Sequence, residues 1–281
     1  MKKIINHILE GKHNKPILVD LFYKETNTQK PIIIFCHGYK GFKDWGAWNL
    51  MGEYFVNAGF YFVKFNFSHN GSTIEQPIDF PDLEAFGNNN YTKELDDLET
   101  VINWICNTKE INTNRIVLIG HSRGGGIVTI KASEDTRIQS VITLAGVCDF
   151  GKRTATIGDL EHWKKNGVKY VLNGRTLQQM PHYYQFYEDF KQNEVRLSIQ
   201  NAIKNLTIPH LIIHGDKDDS VFIEEANIQH QWNSKSTFKI IKNANHVFNT
   251  KHPWNTKKLS LELEETLENC LQFLQQNEQN H

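Results

Sequence analysis

The sequence predicts an α/β fold with a mostly parallel central sheet flanked by helices, and three observations predict it. Four short runs, at 31–36 (PIIIFC), 115–120 (RIVLIG), 140–146 (SVITLAG) and 210–215 (HLIIHG), are almost continuously apolar, as strands buried on both faces are. Helical patterns over about 46–58, 92–108, 123–134 and 223–233 alternate with them, which is the doubly wound order. The chain of 281 residues has 39% apolar residues and 17 Phe, 9 Tyr and 6 Trp, enough to fill such a core.

Taken in order, residues 3–10 and 17–25 form an antiparallel hairpin around the polar turn 11–15. Residues 61–67 (YFVKFNF) alternate and suit a strand with one more polar face. Residues 238–241 (FKII) are the last strand. Leu259, Leu263, Leu267, Cys270, Leu271 and Leu274 recur at helical spacing, so 257–275 forms an amphipathic helix. Only 151–207 breaks the alternation: no buried-strand pattern occurs there, and 160–165, 177–178 and 183–203 look helical or irregular. The expected organisation is therefore a core of residues 1–150 and 208–281 carrying a helical lid at 151–207. Insertions at the C-terminal ends of parallel strands lie where ligands bind.

Lys and Arg number 31 against 32 Asp and Glu, a formal charge of −1. That balance argues against a nucleic-acid partner, whose reader carries a basic excess. No apolar run approaches the ~18 residues of a membrane span. Cys36, Cys106, Cys148 and Cys270 are scattered without CxxC or metal-ligand spacing, so they are expected to be reduced thiols. The start, Met1-Lys2-Lys3 and then Ile4-Ile5-Asn6-His7-Ile8-Leu9, is too short and polar for a signal core. The expectation is a cytoplasmic protein, monomeric or homodimeric, without nucleic-acid or membrane partners.

The chemistry concentrates at strand ends. Gly120-His121-Ser122-Arg123-Gly124 is G-x-S-x-G placed between a strand and a helix. A serine on that sharp turn has strained dihedrals, and side chains at the flanking glycines would collide. A serine hydroxyl is a weak nucleophile without a base. His246, in the loop after the last strand, is the best-placed histidine; His37 and His121 flank motifs, and His69, His162, His182 and His252 lack a strand-end position. An acid must orient that base. His214-Gly215-Asp216-Lys217-Asp218-Asp219-Ser220-Val221 offers three, and the H-G-x-x-D-x-x-V pattern selects Asp218, with Asp216 as the alternative. Cys36-His37-Gly38-Tyr39 follows a strand and can lend the Tyr39 N–H to an oxyanion; Arg123, just after the serine, lends the second. Such donors are worth roughly 3–4 kcal/mol each in a transition state.

These motifs, in the order Ser122, Asp218, His246, resemble the α/β-hydrolase superfamily over essentially the whole chain. HGYKGFKDW (37–45), HGDKDDSV and NHVF…HPW (245–254) are similar to the dienelactone-hydrolase-like and prolyl-oligopeptidase-like serine hydrolases, a group that includes cinnamoyl and feruloyl esterases. The resemblance implies an α/β-hydrolase fold and a catalytic triad of Ser122, His246 and Asp218 with Tyr39 and Arg123 as oxyanion donors. It also implies an acyl-enzyme resolved by water, with no metal or organic cofactor. Serine in place of the cysteine of dienelactone hydrolases argues against that activity. The chain has no room for the β-propeller of prolyl oligopeptidases.

The expected reaction is hydrolysis of small-molecule carboxylic esters with small or aryl-containing acyl groups. A peptidase, thioesterase or acyltransferase would use the same acyl-enzyme, and a non-catalytic ligand-binding protein would not need the whole constellation. Trp163, Met180, Tyr183 and Tyr187, in an aromatic stretch of the insertion, are the expected substrate contacts, although such rings also serve to glue a lid to its core. Arg153 and Arg175 are candidates for a substrate carboxylate. Lys40, Lys43 and Asp44 are expected to be solvated, or for Asp44 a helix cap.

Overall fold

A computed structural model describes residues 1–108, 113 and 115–278; residues 109–112, 114 and 279–281 of the expected core lie outside them. The strands are β1 (Lys2–Glu10), β2 (Pro16–Tyr23), β3 (Ile32–Cys36), β4 (Tyr61–Asn66), β5 (Ile116–His121), β6 (Ile138–Leu144), β7 (Val168–Leu172), β8 (Gln179–Tyr183), β9 (His210–Gly215) and β10 (Thr237–Ile241). The helices are α1 (Trp48–Asn57), α2 (Leu83–Gly87), α3 (Tyr91–Asn107), α4 (Arg123–Glu134), α5 (Leu160–Asn166), α6 (Gln185–Gln192), α7 (Ile199–Asn205), α8 (Ile223–Trp232) and α9 (Leu261–Glu278).

Among the described residues eight strands make one sheet in the order β1-β2-β4-β3-β5-β6-β9-β10. From β4 to β10 all neighbours run parallel; β1 and β2 are added antiparallel at one edge. The apolar runs are continuous because both faces of these strands are covered. Ile32, Ile34 and Cys36 of β3 join Ile116 and Leu118 of β5 in the core on one face. Ile33, Phe35, Val117 and Ile119 point into the core on the other, against α1 and α9. The expected α/β-hydrolase architecture is thus observed. The last helix begins at Leu261 rather than 257, because the Ser260 hydroxyl accepts the Leu263 N–H and starts the first turn there.

The insertion is not purely helical, which corrects the expected helical lid. Besides α5, α6 and α7, it holds an antiparallel hairpin in which Val168 pairs with Tyr183 and Leu172 with Gln179. Asn173-Gly174 lies at its tip, a turn signal flanked by VKYVL and QMPHY. These strands have no buried apolar run because one face stays in solvent: Tyr170 and Leu172 are exposed. A two-stranded hairpin is marginal by itself. This one leans on the core through Met180, which is buried with Phe42, Phe80 and Phe86.

An ion network fastens the loop after β3 to the antiparallel edge. Lys43 Nζ donates to Asp20 at 2.8 Å and to Asp44 at 2.6 Å; Lys64 Nζ donates to Asp20 at 2.6 Å and also to Asp44. Lys43, Lys64 and Asp20 are all at most 1% exposed. Lys43 is therefore buried rather than solvated. Asp44 is an ion-pair partner rather than a helix cap, since Ala47 precedes α1 with no side-chain capping bond. The other oxygen of Asp20 accepts the backbone N–H of Asn6 at 2.8 Å. Asn6 sits at φ 54°, where the β1–β2 register slips between Ile4 and His7. Two lysines share two carboxylates, so removing one charge leaves a buried ammonium uncompensated. Asp20→Asn is expected to cost about 3–5 kcal/mol in urea-unfolding free energy; a loss below ~1 kcal/mol would contradict this account.

Candidate active site

The elements deliver their side chains to the C-terminal ends of the parallel strands. Ser122 links β5 to α4 with φ 56° and ψ −120°, a region that L side chains rarely adopt and that costs roughly 1–3 kcal/mol. The close packing around it explains the glycines. A Cβ on Gly120 would lie 2.2 Å from the Gly124 carbonyl oxygen, one on Gly124 would lie 2.4 Å from that of Cys36, and one on Gly38 would meet the Ser122 Cβ at 2.8 Å. The last contact sets the His37-Gly38-Tyr39 loop directly against the serine. Arg123 is the first residue of α4, and an N–H there has no intrahelical carbonyl partner.

His246 Nδ1 lies 2.8 Å from Asp218 Oδ2. A carboxylate only accepts, so Nδ1 carries a hydrogen, and in the neutral tautomer of this ring the lone pair is on Nε2. Asp218 is held from several sides: its Oδ1 accepts the N–H groups of Ser220 and Val221, both at 2.9 Å. His214 Nε2 lies 3.2 Å from Asp218 Oδ2 and 2.7 Å from the Val221 carbonyl oxygen. Both are acceptors, so that nitrogen is protonated. Burial alone would raise the Asp218 carboxyl, but hydrogen bonds from His214, His246 and the Val221 backbone hold it well below the usual carboxylate range. Asp216 faces elsewhere and accepts the Asn243 N–H at 2.6 Å. The geometry thus brings Asp218, not Asp216, to His246.

His121 braces the histidine loop, its Nε2 lying 2.8 Å from the His246 carbonyl oxygen. Burial pushes His121 down to about 3, so the ring is neutral near pH 7 and Nε2–H is the donor. His214 opens the H-G-x-x-D-x-x-V pattern and His121 lies inside G-x-S-x-G, but neither pattern assigns them these supporting contacts. Ser122 and His246 line a common cleft of about 200 Å³, walled by Tyr39, Trp45, Trp48 and Val247. Trp45 and Trp48 follow the His37-Gly38-Tyr39 loop and carry no signature that separates them from core aromatics.

The insertion residues expected to touch substrate do not line this cleft. Trp163 is 1% exposed and donates its indole N–H to the His182 carbonyl. Met180 is fully buried among Phe42, Phe80 and Phe86. The Tyr183 hydroxyl donates to Glu84, and Tyr187 packs on Trp163. The aromatic stretch fastens the insertion to the core through Phe186 and Phe190, which lie on the buried side of α6. Arg153 is bound to Glu225 at 2.6 Å and Arg175 to Asp79, so both guanidinium groups already face protein carboxylates. A larger groove of about 710 Å³ runs between Cys148, α7 and α8 and contains none of Ser122, Asp218 and His246. Among the described residues no three His, Cys, Asp or Glu side chains gather as a metal site, and no helix is long and apolar enough to cross a membrane.

A parallel sheet with a strained serine turn, a His–Asp pair at the following strand ends and a glycine loop against the serine defines an α/β hydrolase. The chain belongs to the prolyl oligopeptidase family, whose model matches residues 53–277. Among solved structures it is similar to Est1E from Butyrivibrio proteoclasticus with ferulic acid bound, at 18% identity, TM-score 0.73, and 95% and 97% coverage of this and that chain. It is also similar to the α/β hydrolase GrgF from Penicillium sp. sh18, at 14% identity, TM-score 0.75, and 98% and 99% coverage. A 31.7 kDa protein of Escherichia coli shares 28% identity over 50% of this chain and 46% of that protein. The quorum-quenching protein AidA of Acinetobacter baumannii (strain MDR-ZJ06) shares 28% over 44% of this chain. The chain spans less than half the length of these two relatives, 46% and 38%.

Replacing the strained serine by glycine relieves the dihedral cost while keeping the turn. Ser122→Gly is expected to raise the unfolding free energy by about 1 kcal/mol, read as a higher denaturation midpoint. An unchanged or lower midpoint would mean that the turn stores no strain.

Proposed function

We propose that this protein is a serine hydrolase that cleaves carboxylic esters of small or aryl-containing acyl groups through an acyl-enzyme. The observation that carries the proposal is the His246 Nδ1–Asp218 contact of 2.8 Å beside a cleft shared by His246 and Ser122. With Nδ1 committed to Asp218, the Nε2 lone pair takes the Ser122 proton as Oγ attacks the acyl carbonyl. The carbonyl electron pair moves onto oxygen, where the N–H groups of Tyr39 and Arg123 receive it. His246 then returns the proton to the departing alkoxide. A water, deprotonated by the same nitrogen, releases the acid and restores Ser122.

The cleft supports this choice of substrate class. Its walls of Tyr39, Trp45, Trp48 and Val247 and its volume near 200 Å³ suit one small or aromatic acyl group better than a chain. The likeness to Est1E, which has been seen with ferulic acid, supports an aryl acyl group. The family match favours a second reading as a peptidase working through the same acyl-enzyme. The formal charge of −1 supports a small neutral substrate rather than a polyanion. Four free cysteines, three of them buried, support a cytoplasmic location. The working unit is a monomer or homodimer without nucleic-acid or membrane partners.

A fluorophosphonate probe should label the folded wild-type protein and leave Ser122→Ala unlabelled; labelling of both, or of neither, sinks the proposal. Asp218→Asn should lower kcat about 10³–10⁴-fold by disfavouring the productive histidine tautomer. Asp216→Asn should stay within about threefold of wild type, because it disturbs only a loop contact. Greater damage from Asp216→Asn would transfer the role. A panel of p-nitrophenyl esters from acetate to octanoate, methyl cinnamates and an aminoacyl-nitroanilide decides the substrate class. Preference for the nitroanilide would favour the peptidase reading.

A further inference from the structure

The two N–H groups assigned to the oxyanion come from different loops, so their spacing needs a physical restraint. Gly38 supplies contact with Ser122 but no side chain to hold Tyr39 in place. The side chains of the two donor residues meet each other instead. The Arg123 guanidinium carbon lies 4.4 Å from the Tyr39 ring centroid, within the range of a cation–π contact. Tyr91 and Phe186 approach the same guanidinium at 5.2 and 5.6 Å. Arg123 is only 5% exposed. Its Nη1 donates to Glu94 Oε1 at 3.1 Å, and that oxygen also accepts from Asn89 Nδ2 at 2.7 Å. At the other end the Tyr39 hydroxyl lies 3.0 Å from Nε2 of His182, a 1%-exposed residue of β8. The ring is thus held between α3, through Arg123 and Glu94, and the hairpin of the insertion, through His182.

We infer that the Tyr39 and Arg123 side chains clamp one another and thereby set the separation of their own backbone N–H groups, with Glu94 and His182 as positioning residues. The inference rests on the hydrolase function proposed above. Burial pushes His182 down to about 3, so its ring is neutral near pH 7 and can accept the Tyr39 hydroxyl hydrogen. The Tyr39 ring is a wall of the cleft, whereas the Arg123 side chain does not line it. Each acts through a backbone donor, which a substitution of the side chain leaves present. Displacing such a donor weakens charge stabilisation in the transition state while leaving ground-state binding nearly untouched.

The test uses full-length protein with p-nitrophenyl acetate, and a trifluoromethyl ketone, which adds the serine oxygen and becomes a hemiketal oxyanion in the same site. Tyr39→Leu retains the N–H but removes the ring. It should lower kcat about 10- to 100-fold, a larger change than the one in KM that follows from losing a cleft wall, and weaken the ketone by at least the same factor as kcat. Tyr39→Phe keeps the ring on the guanidinium and should recover most of that loss, remaining within about threefold to tenfold of wild type. Should Tyr39→Leu fail to fold, Glu94→Gln keeps an acceptor for Arg123 without its charge. It should lower kcat about three- to tenfold at unchanged KM. Wild-type kcat in a folded Tyr39→Leu or Glu94→Gln overturns the clamp, as does a change confined to KM. A wild-type protein that neither turns over esters nor reacts with fluorophosphonate overturns the function itself, a separate result because it is read on the unaltered chain, and removes the clamp with it.

Discussion

The contact on which everything else depends is the approach of backbone to backbone at the turn between β5 and α4. Gly120 lies against Gly124, Gly124 against the carbonyls of Cys36 and His37, and Gly38 against the Cβ of Ser122. No side chain fits at any of these points. That crowding accompanies the positive φ of Ser122, sets its side chain in the cleft and starts a helix at Arg123. The neighbouring strands can supply useful loops only because this turn fixes where β3 and β5 end relative to each other. The parallel sheet then adds the loops after β9 and β10 at the same C-terminal ends, which is where Asp218 and His246 stand.

Around that turn the protein buries polar groups and satisfies them in connected sets. Asp218 receives four hydrogen-bond donors from three residue types, His214 and His246 among them. Such a carboxylate stays ionised through the acid range because its donors replace water. The guanidinium of Arg123 and the ammonium groups of Lys43 and Lys64 are likewise removed from solvent beside fixed carboxylates. Buried pairs of this kind contribute little net stability compared with apolar packing, and their benefit lies in specifying one arrangement. Here the arrangements specified are the two loops that border Ser122. The insertion adds a third restraint, since Lys40 Nζ donates to the Leu172 carbonyl at 3.0 Å and Gln178 to that of Phe80.

The core of the fold was legible because parallel strands covered on both faces leave a contiguous apolar signature, and because G-x-S-x-G is a steric requirement written into residue identity. The hairpin that opens the chain, both ends of α4 and the His–Asp pair were readable for the same reasons. The insertion was not. Its strands are half exposed, and a sheet of two short strands has neither the length nor the periodicity to stand apart from irregular chain. The tip residues Asn173-Gly174 were the available signal. The buried lysines were missed because a charged residue's partners come from distant positions: Lys43 meets Asp20 and Asp44, and Lys64 meets the same two. The aromatic residues of the insertion and those of the cleft look identical as letters. Only the topology assigns Trp163 to packing and Trp45 to the wall beside the serine.

The slip in register at Asn6 has a consequence for how copies of this chain behave together in a crowded solution. A nine-residue outer strand carrying Ile4, Ile5, Ile8 and Leu9 would otherwise be a straight template onto which an unfolded or neighbouring chain could zip. The kink breaks that template near its middle. It also turns the Asn6 N–H inward to Asp20, so one would-be docking group is consumed inside the molecule. Lys2 and Lys3 add charge at one end of the rim. The carboxylate that anchors two buried lysines thus also pins the kink in the outer strand, which ties the shape of that border to the integrity of the interior.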